Sequence, residues 1–345
     1  MNSSAFSGAG VKRPRPAHPP VSLSSVWHDV RLRSWIYQAI VVVGVLLVGG
    51  LLFNNAQLAL ARQGITTGFG FLANPAGFEI GDRFVAFDSA DSFLRAYAVA
   101  VLNTLSVAAA TIVLSTIIGV TVGVARLAPN RLARRTASFY VEVFRNTPQL
   151  VLLIFIYTVM TKLPAPRSAL SLADVAFLSN RGLSLPWLGT DFQLSVPALR
   201  GFNFSGGTNL SPEFLALLLA LSLYVGAFIA EIVRAGIQSV SRGQVEAAKA
   251  LGLRPAHVFC KVVFPQALRG MVPPAAIQYV SVVKNSSLGV AIGYPELFSV
   301  NNTIATLSGQ VVEAIAIMMS IYLGISFVVA MLMNLYNRSV QLKGR

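Results

Sequence analysis

Four long runs without any charged residue decide what this 345-residue chain can fold into. A helix needs about 20 apolar residues to cross the hydrocarbon core of a bilayer, with about 17 at the lower end of the range. Each run is near or above that lower bound, so we expect each to cross a membrane as a helix. The runs are Ile36–Phe53, Ala96–Ala125, Phe214–Ala230 and Ala314–Tyr336.

Two weaker runs, Ala137–Thr161 and Pro274–Ile292, carry charged residues but remain candidates for membrane crossing. The first also contains Pro148, and the second contains a single charge, Lys284. Only 12% of the whole chain is charged, whereas a soluble domain has about 25%. This leaves too little polar surface for a water-soluble globule. The sequence therefore predicts an all-α integral membrane protein with about six transmembrane helices.

The net charge of +14 is unevenly distributed along the chain. If the N-terminus lies inside and six spans follow, most of the 27 Lys and Arg residues fall on the cytoplasmic side. This bias follows the positive-inside rule, which sets orientation. We therefore expect a multi-pass protein of a bacterial inner membrane with both termini in the cytoplasm. The basic loops indicate topology rather than nucleic-acid binding, and we expect no nucleic-acid partner.

The composition changes along the chain predict its organisation. The polar, proline-containing N-terminus is typical of a disordered tail rather than of a cleavable signal peptide. The segments that we expect are a cytoplasmic disordered tail (1–35), an additional N-terminal transmembrane helix (36–53), a periplasmic stretch (54–91) and a transmembrane domain (92–345) with an outer insertion (162–212) and a cytoplasmic loop (241–272).

The cytoplasmic loop contains a helix, a break and a second helix. Residues 246–251 are strong helix formers, and Gly252 suits the position after a helix end, where a positive φ costs a glycine nothing. Pro255 can open the following helix at its first turn, and Pro265 ends or kinks it.

One face of the first short helix is small and apolar. Ala247, Ala248 and Leu251 form this predicted flat face, and Glu246 and Lys249 flank it with opposite charges. A surface helix of this kind suits insertion into a groove of a partner protein.

This loop resembles the cytoplasmic loop of ABC-importer permeases, which reads EAA-x3-G-x9-[hydrophobic]-x-[hydrophobic]-P. Glu-Ala-Ala alone would be typical of an ordinary connector, but here the distal Gly and Pro stand at the family's spacing. The matching residues are Glu246, Ala247, Ala248, Gly252, Val262, Phe264 and Pro265. In that family the loop forms a coupling helix that transmits ATPase motion. The resemblance therefore implies a type I ABC importer transmembrane subunit with coupling residues Gly243, Glu246, Ala247, Ala248, Gly252 and Pro265.

Other segments resemble the polar amino-acid permeases, such as those for histidine and glutamine. They are Arg145–Gln149, Ala230–Gln244, Pro265–Leu268 and Lys284–Leu297, and the resemblance covers roughly residues 92–345. The additional first span and the long outer stretches resemble the general L-amino-acid permeases that work as two unlike subunits. The resemblance implies import by alternating access. The partners that it implies are a cytoplasmic ABC ATPase dimer, a second and related permease subunit, a periplasmic amino-acid-binding protein and membrane lipid.

Several polar residues within the spans are candidates for the substrate path. Asn103 and Thr104 lie midway through an uncharged span, where they either line the path or bond between helices. Lys284 either binds a substrate carboxylate, snorkels to the interface or pairs with an acid. Ser286 and Ser287 follow it and complete the candidate set. Two pairs spaced three residues apart, Glu231–Arg234 and Glu142–Arg145, are expected to pair on helix faces.

We expect no catalytic residue and no metal site in this chain. It has one Cys and three scattered His residues, and it lacks the phosphate-binding motif of nucleotide hydrolases. The chain is therefore expected to bind no cofactor, and ATP and Mg are expected to be used by the partner ATPase. The alternatives are an ABC permease for another small solute, such as an opine or an osmolyte, and an ion-coupled secondary transporter.

Overall fold

The computed structural model describes residues 30–62, 68–172, 174–188 and 194–340. Contacts divide the chain into two units, residues 1–67 and residues 68–345. In the first unit, helix α1 covers Val30–Arg62 and continues past the predicted span 36–53. Residues 54–62, which we assigned to the periplasmic stretch, are helical because they contain no Gly or Pro and are rich in Ala and Leu. Most of the predicted tail lies outside the described residues.

The second unit is built around two long helices, α2 (Phe93–Ala125) and α5 (Pro212–Gln238). Both begin at a serine whose hydroxyl accepts a hydrogen bond from a backbone N–H of the first turn, a cap that satisfies one orphan donor. The Ser92 cap has a length of 3.3 Å and the Ser211 cap 3.0 Å. The helices run in the same direction, so we call the end with these caps the insert end and the opposite end the loop end.

Glycines allow α2 and α5 to approach each other closely. A Cβ at Gly119 would lie 2.5 Å from the side chain of Ile229, and one at Gly123 would lie 2.7 Å from the Ala230 carbonyl oxygen. Small residues at this four-residue spacing permit close helix packing in membranes, where apolar burial alone provides little attraction between helices. The contact is therefore the central packing surface of the second unit.

The predicted span Ala137–Thr161 is bent in the structure rather than straight. It is replaced by α3 (Arg131–Asn146) and α4 (Gln149–Thr161), which meet at an angle of 105°. The break occurs because Pro148 has no N–H to donate and disfavours helical geometry in Thr147 before it. The charged residues of the run lie on α3, and α4 is uncharged.

The predicted span Pro274–Ile292 is also displaced, whereas the last predicted span, Ala314–Tyr336, lies within one helix. A short helix α7 (Pro255–Val258) and a π-helical turn at Phe259–Val263 lead into α8 (Phe264–Asn285), which a 3₁₀ turn at Ser286–Ile292 follows. Then come α9 (Leu297–Ser308) and α10 (Val311–Val340). Helix α8 packs between α5 and α10.

The count of spans differs from the six that we predicted. Among the described residues, four helices are long and apolar enough to cross a membrane, and the bent pair α3–α4 makes five. Helix α8 is not one of them, because Arg269 and Lys284 together with its glutamines and prolines lower its mean hydropathy. The mostly helical membrane class is confirmed.

The outer insertion adds short strands that we did not predict. Strands β1, β2, β3 and β8 form an antiparallel sheet in that order, and β4–β5 and β6–β7 are hairpins. Gly206 and Gly207 turn the chain before β8 with φ of +82° and +63°, where glycine has no steric penalty. The strands are β1 (Leu170–Leu172), β2 (Ala176–Ser179), β3 (Gly182–Leu185), β4 (Trp187–Leu188), β5 (Leu194–Ser195), β6 (Ala198–Arg200), β7 (Asn203–Ser205) and β8 (Thr208–Leu210).

Candidate functional site

The loop that follows α5 begins with a short helix that a glycine closes. This helix, α6, covers Arg242–Ala250. Gly252 follows with φ +74°. Its N–H donates to the Lys249 carbonyl at 2.9 Å, and the N–H of Leu253 donates to the Ala248 carbonyl at 3.3 Å. These two bonds form a Schellman motif, whose left-handed position favours glycine. The predicted role of Gly252 as the helix-ending residue agrees with this geometry.

The two alanines of the Glu-Ala-Ala segment face different ways. Ala248 is 5% exposed and packs against Val258 and Val263, whereas Ala247 is exposed. Consecutive helical residues differ by about 100° around the axis, so the predicted flat face that included Ala248 is wrong. The outward apolar group at the tip is Leu251, which is 83% exposed.

The remaining predicted coupling residues lie on the surface or at the base of the loop. Gly243 and Glu246 are exposed, and a Cβ at Gly243 would meet only the Ser241 hydroxyl, at 3.7 Å. Pro265 stands in the first turn of α8 and does not end a helix. In the π turn before it, the N–H of Phe264 donates to the Phe259 carbonyl, five residues back. This turn lets the helix continue although Pro265 has no N–H to donate.

A cluster of charges joins α2 to α5 at the loop end. Glu231 accepts hydrogen bonds from Arg234 on its own helix, as we predicted, and also from Arg126, which ends α2. All three side chains are partly buried. Arg145 was expected to pair with Glu142 on its own helix. Its guanidinium instead lies 5.0 Å from the ring centroid of Phe228.

Asn103 and Thr104 are fully buried and bonded to the chain itself. The Asn103 amide donates to the carbonyls of Asp82 at 2.8 Å and Pro295 at 2.9 Å, and the Thr104 hydroxyl accepts from Leu297 N–H at 3.0 Å. These bonds fasten α2 to two segments near the insert end. Burial raises the pKa of the Asp82 carboxyl in the same region. Both predicted path residues therefore hold α2 to other segments of the chain through these hydrogen bonds.

Glu296 is an anchor that sequence reasoning missed. It is fully buried, accepts from the N–H groups of Phe298 at 2.9 Å and Ser299 at 2.8 Å, and also accepts from the Tyr322 hydroxyl at 2.7 Å. It thereby caps α9 and ties it to α10. Its sequence signal is weak, because glutamate is not among the residues that usually cap the N-terminus of a helix.

Lys284 and Ser287 line one open groove between α8 and α10, whereas Ser286 does not. The groove has a volume of about 720 Å³ and is also lined by Phe298, Met319 and Ser326. The Ser286 hydroxyl is buried and donates to the Val283 carbonyl at 2.8 Å. Lys284 also borders a second cavity of about 420 Å³ on its other side.

Comparisons with known proteins agree with the fold and show the family. The family of binding-protein-dependent transport system inner membrane components matches residues 112–342. A putative amino-acid ABC transporter permease of Escherichia coli K12, YhdX, is 40% identical to this chain over 91% of this chain and 95% of its own length. The general L-amino acid transport system permease AapQ of Rhizobium johnstonii is 37% identical over 94% and 96%.

A solved structure shares the fold at lower identity. The chain aligns with an amino acid ABC transporter crystallised with histidines at a TM-score of 0.54 and 24% identity, over 72% of this chain and 95% of the other. This likeness supports the helical architecture, and the relatives above fix the family. The chain belongs to the family of inner membrane components of binding-protein-dependent transport systems, and within it to the ABC-transporter permeases.

Proposed function

We propose that this chain is the permease subunit of an importer that brings amino acids into the cell, driven by an ABC ATPase dimer that docks on α6. The single observation that supports docking is the exposed side chain of Leu251 at the tip of the loop. Leu251 is 83% exposed, yet the same helix is held to its own chain through Ala248. A large apolar side chain presented on a fixed helix suits a groove in a partner protein.

The packing of α6 supports its role as a transmitter of motion. Ala248 contacts Val258 and Val263, which lead directly into α8. On its other side α6 follows α5 after a short connection, Ser239–Ser241. A displacement of α6 by the ATPase is therefore carried to α5 and α8, which pack against each other. Movement of these helices against the rest of the bundle is the basis that we propose for alternating access.

The charge distribution supports an orientation with the loop end in the cytoplasm. Arg242, Lys249 and Arg254 lie in or next to α6, and Arg131 and Arg134 lie in α3, which follows the loop-end terminus of α2. This placement agrees with the positive-inside rule. We propose that the insertion with β1–β8 lies in the periplasm and that both termini are cytoplasmic, which requires α8 to cross the membrane as a sixth span despite Arg269 and Lys284.

The remaining components of the proposed system are separate chains. A second, related permease subunit completes the membrane channel, and a periplasmic binding protein delivers the amino acid. ATP and Mg²⁺ are bound by the ATPase dimer and not by this chain. Coupling is assigned to Gly243, Glu246, Ala247, Ala248, Gly252 and Pro265, of which Ala248 acts from inside the loop.

Uptake by the reconstituted complex tests the proposal. Proteoliposomes holding both permeases and the ATPase, with ATP inside and binding protein outside, are expected to accumulate labelled L-amino acids. Vanadate is expected to abolish uptake, and a protonophore is expected to leave it unchanged. Uptake that collapses with the protonophore would indicate an ion-coupled transporter, and accumulation of an opine or osmolyte without amino acids would contradict the substrate class.

We expect Leu251→Asp to weaken the association with the ATPase at least tenfold. Docking buries this leucine, and full burial of a leucine side chain contributes about 1.5–3 kcal/mol. Co-purification of the ATPase with the tagged permease measures the effect. Leu188→Asp is the matched control, because Leu188 is a 52% exposed leucine in β4 of the insertion. Equal retention of the ATPase by both variants would remove Leu251 from the docking surface.

A further inference from the structure

Helix α3 runs crosswise at the loop end of the second unit. It meets α4 at 105°, and α4 packs against α5. Both ends of α3 lie near one level of α5. The helix begins five residues after Arg126, which is bonded to Glu231 of α5. Its last turn contains Arg145, whose guanidinium lies 5.0 Å from the ring centroid of Phe228, one turn from Glu231. Helix α3 therefore lies across α5 near Glu231.

The charges of α5 place this level at one surface of the hydrocarbon core. No charged residue lies between Glu213 and Glu231, which are 18 residues apart in α5. At 1.5 Å per residue this uncharged part is about 27 Å long, close to the core thickness of about 30 Å. Glu213 and Glu231 therefore mark the two boundaries of the core. Because α3 lies at the level of Glu231, it lies at the boundary on the loop-end side.

The outward side of α3 is apolar. Leu132, Phe139 and Val143 are spaced by seven and four residues, so they fall within about 40° of one another around the helix axis. Their exposed fractions are 71%, 69% and 39%, and we call them the outer stripe. Three exposed apolar side chains in line on a helix at the core boundary match the environment of lipid acyl chains.

Contacts with the bundle fix the direction of the outer stripe. The Tyr140 hydroxyl donates to the Leu223 carbonyl of α5 at 2.7 Å. Ala137 and Val141 are buried on the side of α3 that faces the bundle. A rotation of α3 that buried the outer stripe would break this hydrogen bond and expose both buried residues. The stripe therefore faces outward in the folded chain.

Arginines border the outer stripe on one side. They are Arg131, Arg134, Arg135 and Arg145. At 100° per residue all four fall within an arc of about 100° next to the stripe, and Glu142, the one acid of α3, lies in the same arc. None of the four belongs to an ion pair within the part of the chain that the structure describes. Phosphate groups of anionic lipids supply the opposite charge, and such lipid surfaces attract basic segments.

We propose that α3 is an interfacial helix that binds anionic phospholipid, with the outer stripe among the acyl chains and its arginines on the head-group phosphates. This inference rests on the orientation in the proposed function, which places the lipid in the cytoplasmic leaflet. Lipid fits this face better than a partner protein does, because the stripe lies at the boundary of the core, where lipid is the surrounding medium. Since α3 packs against α5, bound lipid holds the end of α5 that leads to α6 at a fixed depth.

Collisional quenching tests the position of the outer stripe. The single native cysteine is removed by Cys260→Ser, and a fluorophore is attached at Phe139→Cys of the full-length permease in vesicles of phosphatidylcholine and phosphatidylglycerol. We expect spin-labelled lipid to quench this probe at least threefold more than aqueous iodide does. Leu251→Cys, at the 83% exposed tip of α6, is the matched control and is expected to show the reverse order. Stronger quenching of the Phe139 probe by iodide would overturn the proposal.

Phospholipid that remains with the purified permease tests the arginines. We expect the triple variant Arg131→Gln, Arg134→Gln, Arg135→Gln to lower bound phosphatidylglycerol at least threefold, because it removes the charges and keeps the outer stripe. The control replaces three exposed basic residues in or next to α6 by glutamine and is expected to retain the wild-type amount. Equal retention or equal loss in the two variants would contradict a lipid site on α3. The control substitutions are Arg242→Gln, Lys249→Gln and Arg254→Gln.

The remaining outcomes separate this inference from the proposed function. Both measurements use the permease without ATP or substrate, so failed lipid binding overturns only the lipid site, and failed uptake overturns only the proposed import. Labelling of Leu251→Cys by a membrane-impermeant thiol reagent outside intact cells would overturn the cytoplasmic leaflet together with the proposed orientation. Lipid quenching of the Phe139 probe that disappears when the second permease is added would assign the stripe to a subunit interface and overturn the lipid site.

Discussion

Gly252→Asp is expected to abolish uptake and substrate-stimulated ATP hydrolysis while the permease still folds and inserts. Gly252 has φ +74°, and a Cβ built there meets no atom of the chain within 4 Å. The variant therefore suffers only the backbone strain of a non-glycine residue in the left-handed region, of the order of 1 kcal/mol, and Asp tolerates that region better than most residues. Its carboxylate, however, would stand beside Leu251 on the surface that we assign to ATPase docking.

The matched control for this prediction is Gly309→Asp. Gly309 follows α9 with φ +69°, and a Cβ there also meets nothing within 4 Å. The two variants bear the same backbone strain, but only Gly252 lies on α6. Uptake, ATPase rate and the amount of membrane-inserted permease are measured for both. Normal uptake by Gly252→Asp, or equal loss in both variants, would contradict a specific role for Gly252 in coupling.

Gly119→Leu is expected to prevent stable packing of the second unit. Its Cβ alone would lie 2.5 Å from the Cβ and Cγ2 of Ile229 and 3.0 Å from the Gly226 carbonyl oxygen. Overpacking of a filled core typically costs about 1–3 kcal/mol, and the backbones of α2 and α5 must separate to admit a leucine. We expect a clear fall in the melting temperature of the purified permease and in the yield of monodisperse protein.

The control for this packing prediction is Gly324→Leu in α10. A Cβ at Gly324 meets no atom within 4 Å, so the same increase in volume is made on an open helix face. Thermal unfolding in detergent, followed on the permease alone, compares the two variants without any contribution from partner chains. A Gly119→Leu protein as stable as wild type would show that the contact between α2 and α5 can relax.

Local patterns were sufficient for the membrane class and for the end of α6. Uncharged runs of sufficient length predict spanning helices, and Gly252 and Pro255 mark the end of one helix and the start of the next. The bend at Pro148 was also readable, since the residue before a proline avoids the helical region, although we treated the run as one span. The spacing of Gly119 and Gly123 likewise signalled close packing in a membrane helix, and it was overlooked.

The predicted site residues also differ in whether a local sequence pattern was enough to predict their contacts. The helix, the glycine break and the following helix of the loop could be predicted because these residues are consecutive and the loop's geometry is local. The inward direction of Ala248 could not, because it depends on Val258 and Val263 returning beneath α6. Asn103 and Thr104 were predicted for the path because of their position in a span. Their actual partners, Pro295 and Leu297, lie almost 200 residues later in the chain.

The sequence by itself thus determined the membrane class, where the loop helix ends and to which family the chain belongs, because apolar runs and glycine or proline positions act over a few residues. Only the tertiary structure decided that Arg126 joins Glu231, that α2 and α5 meet through glycines, and that Lys284 and Ser326 share one groove. These contacts join residues far apart in the chain. Their formation depends on how whole helices pack, which no local pattern encodes.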